Sequence, residues 1–184
     1  MYRSRVIPCL LLKEDGLIKT TEFKDPVYIG DPINAVRIFN ELEADELVLL
    51  DIDASKQRRS ISAELVKKIG DEAFMPFAVG GGIKNIEDIK KILSCGAEKV
   101  VLNTSAVEDP LLIKKASEIF GSQSIIVSID VKKVNGVYEV FILGGSKSSG
   151  KSPIEIAKKS EELGAGEILI NSIDKDGKME GYDL

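Results

Sequence analysis

The sequence predicts an α/β fold of the closed (β/α)₈ barrel type, on three observations. Strand-length apolar runs alternate with amphipathic helical stretches, the order expected of a parallel sheet with helical crossovers. The runs are nearly continuously apolar, as strands covered on both faces are. The chain also repeats itself: residues 41–53 (ELEADELVLLDID) match residues 162–174 (ELGAGEILINSID) at Glu, Leu, Ala, Glu, Ile and Asp. Residues 95–103 (CGAEKVVLN) are a third variant of the same helix-end and strand-start unit. Repeating strand–helix units without a separate substrate domain favour a barrel over an open doubly wound sheet.

The predicted strands, in order, are residues 5–11, 46–51, 76–79, 99–103, 124–130 and 167–172. Three helices start with a capping residue followed by proline, at Asp31-Pro32, Asp109-Pro110 and Ser152-Pro153. Two more are expected to begin near Ser60 and at Asn85, the latter with Ile86, Ile89, Ile92 and Leu93 as its inward stripe. Gly96, Gly121 and Gly164 stand where helices end. Asn135-Gly136, between the apolar runs 131–134 and 137–142, predicts a hairpin extending the fifth strand. A complete barrel takes roughly 250 residues, and this chain has 184. The expectation is therefore a single barrel domain over residues 1–184, truncated after the sixth strand and lacking the seventh and eighth units. Such a remainder would leave sheet edges open to self-association or to a partner.

Composition narrows the function. A net charge of −5 with dispersed Lys and Arg argues against a nucleic-acid surface or a polybasic membrane anchor. No apolar run approaches the ~20 residues of a membrane helix, and the first run is too short for a secretory signal, so a cytoplasmic location is expected. Cys9 and Cys95 lack metal-type spacing and are expected as buried thiols, with no metal and no cofactor. The chain has no His, so any general acid or base is a carboxylate, Lys, Tyr or Cys.

Chemistry in a barrel sits at the C-terminal ends of the strands. Here those ends read Leu11, Asp51 with Asp53, Gly80-Gly81-Gly82, Asn103-Thr104-Ser105, Asp130, and Ser172 with Asp174 and Asp176. The run Pro76-Phe77-Ala78-Val79-Gly80-Gly81-Gly82 joins a buried strand to a loop with no side chains, followed by a helix. Backbone N–H groups at Gly81 and Gly82, with the hydroxyls of Thr104 and Ser105 one strand away, can hold one phosphate. Asp130 ends an apolar strand, where a partly desolvated carboxylate gains a raised pKa and can serve as acid or base. The alternative for Asp130 is an ion pair with Lys132 or Lys19. On the opposite rim, Arg5, Glu46, Lys99 and Glu167 start strands one, two, four and six with alternating sign, a pattern that can close into a salt-bridge ring across the barrel bottom.

These residues add up to a resemblance. Ile7-Pro8-Cys9-Leu10, Gly30-Asp31-Pro32, Asp45-Glu46-Leu47-Val48, Val79-Gly80-Gly81-Gly82-Ile83, Asn103-Thr104, Phe120-Gly121-Ser122-Gln123, Gly164-Ala165-Gly166-Glu167-Ile168-Leu169, Asp174-Lys175-Asp176-Gly177 and Gly181-Tyr182-Asp183 resemble HisF, the cyclase subunit of imidazole glycerol phosphate synthase. The resemblance implies a TIM barrel that takes ammonia from a HisH-type glutaminase docked on its N-terminal face and uses it at the other face on a phosphorylated small molecule. By position it implies that Asp130 is a catalytic aspartate and that Lys19 is the lysine of the first loop. It further implies one phosphate site at Gly81, Gly82, Asn103 and Thr104, part of another at Asp176 and Gly177, and an ammonia gate at Arg5, Glu46, Lys99 and Glu167.

Leu11 departs from the pattern, because the family's first catalytic aspartate belongs there and a leucine moves no proton. Gly144, Thr20 and Asn171 also differ from the family's substrate surroundings. With the loop Lys24-Asp25-Pro26-Val27-Tyr28-Ile29, Leu11 resembles instead HisF-like paralogues of surface-polysaccharide biosynthesis, associated with ammonia-dependent conversion of an acetamido sugar to an acetamidino sugar. The expectation is an ammonia-using synthase subunit of that kind. The alternatives are the authentic cyclase of histidine biosynthesis and a non-catalytic scaffold that activates the glutaminase; a related sugar-phosphate isomerase is a weaker one, since it also needs an acid after the first strand.

Overall fold

A computed structural model describes residues 4–183. One mixed sheet organises them, and its parallel strands follow one another in chain order. They are β1 (Cys9–Lys13), β4 (Leu47–Asp51), β5 (Phe77–Gly80), β6 (Lys99–Leu102), β7 (Ile125–Val134) and β10 (Glu167–Ser172), each hydrogen-bonded to the next. Chain-order neighbours without a reversal leave no switch point of the doubly wound kind. Three hairpin strands extend this series: β2 (Gly16–Thr21) with β3 (Lys24–Gly30) on β1, and β8 (Val137–Ile142) on β7. A short β9 (Lys147–Ser148) closes on β8. Among the described residues β10 pairs with β7 alone, and Ile170 on its outer face is 61% exposed.

Period-two alternation divides every parallel strand between two cores. Leu47, Leu49, Phe77, Val79, Val100, Leu102, Ile125, Val127 and Ile129 face the helices and form the large core. Helices α1 (Pro32–Glu41), α2 (Ala63–Glu72), α3 (Ile86–Ser94), α5 (Leu111–Phe120) and α6 (Pro153–Glu162) cover it with Val36, Ile69, Ile89, Ile113 and Ile156. The other face carries a smaller cluster, Val48, Ala78, Val101 and Ile126, with Ile7, Leu50 and Leu169 against it. Helix starts follow the sequence where a side chain caps them: Asp31 accepts from the Asn34 N–H and Asn85 from the Asp88 N–H, each three residues on. No helix among the described residues is long and apolar enough to cross a membrane.

Several expectations are corrected. The first strand runs from Cys9 to Lys13 instead of over residues 5–11; Pro8 has no N–H to give, and only its carbonyl enters the sheet, accepting from the Val48 N–H at 2.9 Å. The helix expected near Ser60 starts after Ser62, whose hydroxyl accepts from the Leu65 N–H. The helix expected to begin at Pro110 starts at Leu111, because a short helix α4 (Thr104–Glu108) occupies the preceding turn. Residues 24–29 are not a loop but most of strand β3. Its turn places Glu22 and Phe23 at φ of 52° and 61°, and the Asp176 carbonyl and carboxylate hold their two N–H groups at 3.0 and 2.9 Å. Cys9 is exposed and not buried, since it shares the concave inner face with Leu11; Cys95 is half-buried.

Candidate active site

At the N-terminal ends of the strands, four side chains close into a ring of alternating charge. Arg5 donates to Glu46 at 2.8 Å and to Glu167 at 3.1 Å, and Lys99 Nζ lies 2.8 Å from both carboxylates. The spacing in sequence becomes a contact because the curved sheet brings the start of β10 back toward Arg5. Glu46 is fully buried, whereas Arg5 is exposed. Burial works against the charge on Lys99, yet its hydrogen bonds to Glu167 and Glu46 outweigh this and hold its pKa above the ordinary lysine value. The same balance holds the Glu167 carboxyl below the usual range. Directly inside this ring lies the apolar layer of Val48, Ala78, Val101 and Ile126.

Beyond that layer, at the C-terminal ends, the inner face turns polar. Asp130 is buried and accepts from Asn171 Nδ2 at 2.9 Å, from Asn103 Nδ2 at 3.2 Å and from the Ser128 hydroxyl at 3.4 Å. Burial pushes its carboxyl up to about 6, against three hydrogen bonds that favour the ionised form. The ion pair with Lys132 or Lys19 that would make Asp130 merely structural does not form. Ser128 is missing from the sequence-based site, and Asn171 enters it only as a departure from the family's substrate surroundings. Both are inward residues: Ser128 lies two before Asp130 on β7, and Asn171 is the register partner of Asp130 on β10. The inward–outward alternation of β10 selects Asn171 in place of Ser172, which the strand end alone suggests.

The glycine loop and the Asn103-Thr104 turn are neighbours across β5 and β6, which pair Gly80 with Val101. Gly81 and Gly82 take φ of 129° and 65°. A Cβ on Gly82 would meet the Arg59 carbonyl oxygen at 1.8 Å, so the close approach that requires glycine is made by the chain's own loop after β4. Asn103 spends its amide on Asp130 and on the Ser128 carbonyl. The Thr104 hydroxyl donates to Asn103 Oδ1 at 3.3 Å and accepts from the Leu143 N–H at 3.0 Å. Ser105 Oγ is buried without a hydrogen-bond partner among the described residues.

A cavity of about 230 Å³ brings Leu11, Lys19, Asp176 and Gly177 together with Cys9. Lys19 is exposed at its rim. Asp176 is tied into the fold: its Oδ2 accepts from the buried Thr20 hydroxyl at 2.7 Å and from the Phe23 N–H at 2.9 Å. Gly177 packs so closely on Thr20 that a Cβ would lie 2.1 Å from the Thr20 carbonyl oxygen. Thr20→Val, of similar shape, removes a buried donor to a half-buried carboxylate and is expected to cost about 2 kcal/mol. Urea unfolding measures the cost, and faster amide exchange confined to β2 and β3 would locate it.

The chain matches the model of the family described as "Histidine biosynthesis protein" over residues 5–184. It is 53% identical to a Pseudomonas aeruginosa protein provisionally named imidazole glycerol phosphate synthase subunit hisF2, covering 100% of this chain and 73% of that one. It is 47% identical to the imidazole glycerol phosphate synthase subunit HisF of Methanocaldococcus jannaschii, covering 100% of this chain and 75% of that one. A protein of Leptospira interrogans provisionally named as the same subunit is 50% identical, with 100% and 73% covered. With the charged ring, the glycine loop and the buried aspartate in place on the chain-order parallel sheet, these matches make the chain a member of the histidine biosynthesis protein family, among the HisF subunits of imidazole glycerol phosphate synthase.

Proposed function

We propose that this chain is an ammonia-using synthase subunit whose six parallel strands form part of a (β/α)₈ barrel. One observation carries the reading: a single inward face bears the charged ring at one end, an apolar layer in the middle and Asp130 at the other. Ammonia is small and neutral, so it can cross an apolar layer that excludes ammonium and other ions. Arg5, Glu46, Lys99 and Glu167 act as the gate, and a glutaminase of the HisH type docks against that rim and supplies the ammonia. At the opposite end Asp130 exchanges the protons of the addition, and Lys19 reaches over the acceptor from the β2–β3 hairpin. Gly81, Gly82, Asn103 and Thr104 frame one phosphate of the acceptor, and the Gly177 backbone frames a second, with Asp176 holding it in place.

Leu11 lies on the inward row with Leu50, its register partner, and offers no acid at the position where the family pattern has one. An acceptor that needs one proton-transfer group fits this surface better than a ring closure that needs two, so the acceptor is a nucleotide-linked acetamido sugar. The names of the archaeal relatives at 46–47% identity favour a second reading, cyclisation of the histidine-pathway nucleotide. A direct assay supplies ammonium salt and that nucleotide to the wild type and to Leu11→Asp. A silent wild type and an active Leu11→Asp are expected. Wild-type turnover at ~1 s⁻¹ or more, typical of enzymes on their own substrates, would overturn the sugar reading in favour of the cyclase.

A further inference from the structure

We infer that Lys56 supplies the positive charge for a phosphate group of the acceptor, at the end of the inward face where Thr104 meets residues 143–145; the inference rests on the reading of that face as the acceptor site. The glycine loop and the Asn103-Thr104 turn provide no cation, and the Thr104 hydroxyl already donates to Asn103 and accepts from Leu143. A dianion needs more than these groups offer.

The missing charge arrives from the loop after β4. That loop is pinned beneath the glycine turn, where the Arg59 carbonyl crowds Gly82 and the Ile61 N–H donates to the Gly81 carbonyl at 2.9 Å. From it, Lys56 extends across to the bare backbone of Gly144: a Cβ there would lie 3.1 Å from Lys56 Cε and 3.3 Å from Nζ. Leu143 immediately before is the residue bonded to Thr104. Leu143, Gly144 and Gly145 take φ of 55°, 62° and 75°, a run of left-handed residues of the kind that turns successive N–H groups toward an anion. The N–H groups of Gly144 and Gly145 find no acceptor among the described residues.

The carboxylates of the same loop do not neutralise Lys56. Asp51 is held by Arg59, and Asp53 by Lys13 at 3.4 Å. No carboxylate of the described residues lies within 4.0 Å of Lys56. An exposed ammonium beside two uncommitted N–H groups and a spent hydroxyl is therefore available to a ligand. Glycine at position 144 suits this: its φ of 62° is left-handed, and a Cβ there would push the end of Lys56 aside by a few tenths of an ångström.

Titration with inorganic phosphate, followed by the amide resonances of Gly82, Gly144 and Gly145, tests the assignment without reference to turnover. Lys56→Gln is expected to weaken phosphate binding about tenfold, Lys56→Arg to retain most of it, and Lys67→Gln, the same charge change on the exposed face of α2, to leave it unchanged. Unaltered binding in Lys56→Gln, or an equal loss in Lys67→Gln, overturns the role of Lys56 whatever the reaction. If phosphate binding depends on Lys56 while neither the sugar nor the histidine-pathway nucleotide is turned over with ammonia, Lys56 stands as a phosphate ligand and the ammonia-transfer reading fails.

Discussion

Asp130→Asn is expected to lower product formation by roughly 10²–10⁴-fold, the usual contribution of a positioned acid or base, and to make the protein more stable at pH 7. Both effects come from one cause. The carboxyl is buried and titrates at about 6 in place of its ordinary 3.8. Between these values the folded chain binds the proton and the unfolded chain has lost it, so stability falls as pH rises through this window and the deficit is complete above about 6. A shift of this size corresponds to something on the order of 3 kcal/mol at neutral pH. Asparagine removes the charge but turns one amide donor against the donor groups of Asn103 or Asn171, so a net gain of roughly 1–2 kcal/mol is expected.

Urea unfolding of the wild type and of Asp130→Asn from pH 4 to pH 8 measures this, because the other carboxylates cancel in the difference. A difference that grows from pH 4 to pH 6 and then levels off is expected. A flat difference would mean that Asp130 titrates normally. The rate should rise with pH through about 6 as the carboxylate becomes available as a base. Glutaminase stimulation, measured separately, is expected to survive the substitution. If product formation survives as well, the chain is a scaffold and Asp130 is not catalytic.

Lys99→Met carries the second large effect, a loss of about 3–5 kcal/mol. Methionine keeps the length of the side chain but leaves the buried Glu46 carboxylate with Arg5 as its only cation among the described residues. Adding Glu46→Met removes the stranded charge and is expected to recover most of the loss, with Arg5 and Glu167 still paired at 3.1 Å. A double variant as unstable as the single one would mean that Lys99 contributes by packing alone. Under the gating reading the two variants also uncouple glutamine hydrolysis from product formation, whereas free ammonium salt still supports the reaction. Equal losses with glutamine and with ammonium salt would argue against a conduit through the ring.

Much of the architecture was legible in the sequence, because it depends on local rules. Apolar runs of strand length, cap residues at Asp31 and Asn85 and the Asn135-Gly136 turn each encode their element within a few residues. The turn appears as expected, with φ of 50° and 85°. The β2–β3 hairpin was not legible, because nothing in Glu22-Phe23 favours a left-handed turn. A carboxylate far along the chain, Asp176, makes it by accepting from the Phe23 N–H.

The site divides in the same way. Glu46, Lys99 and Glu167 could be named from strand starts, and Asp130 from a strand end, since position along a strand sets height in the sheet; Arg5 joins them from the segment that leads into β1. Which groups surround them depends on register and curvature. Register sets Asn171 against Asp130, curvature closes Arg5 onto Glu167, and a loop packed under Gly82 carries Lys56 to Gly144. Sequence determines which strand end a side chain occupies because the backbone period is local; the partners across the sheet follow from long-range pairing, and only the tertiary structure decides those.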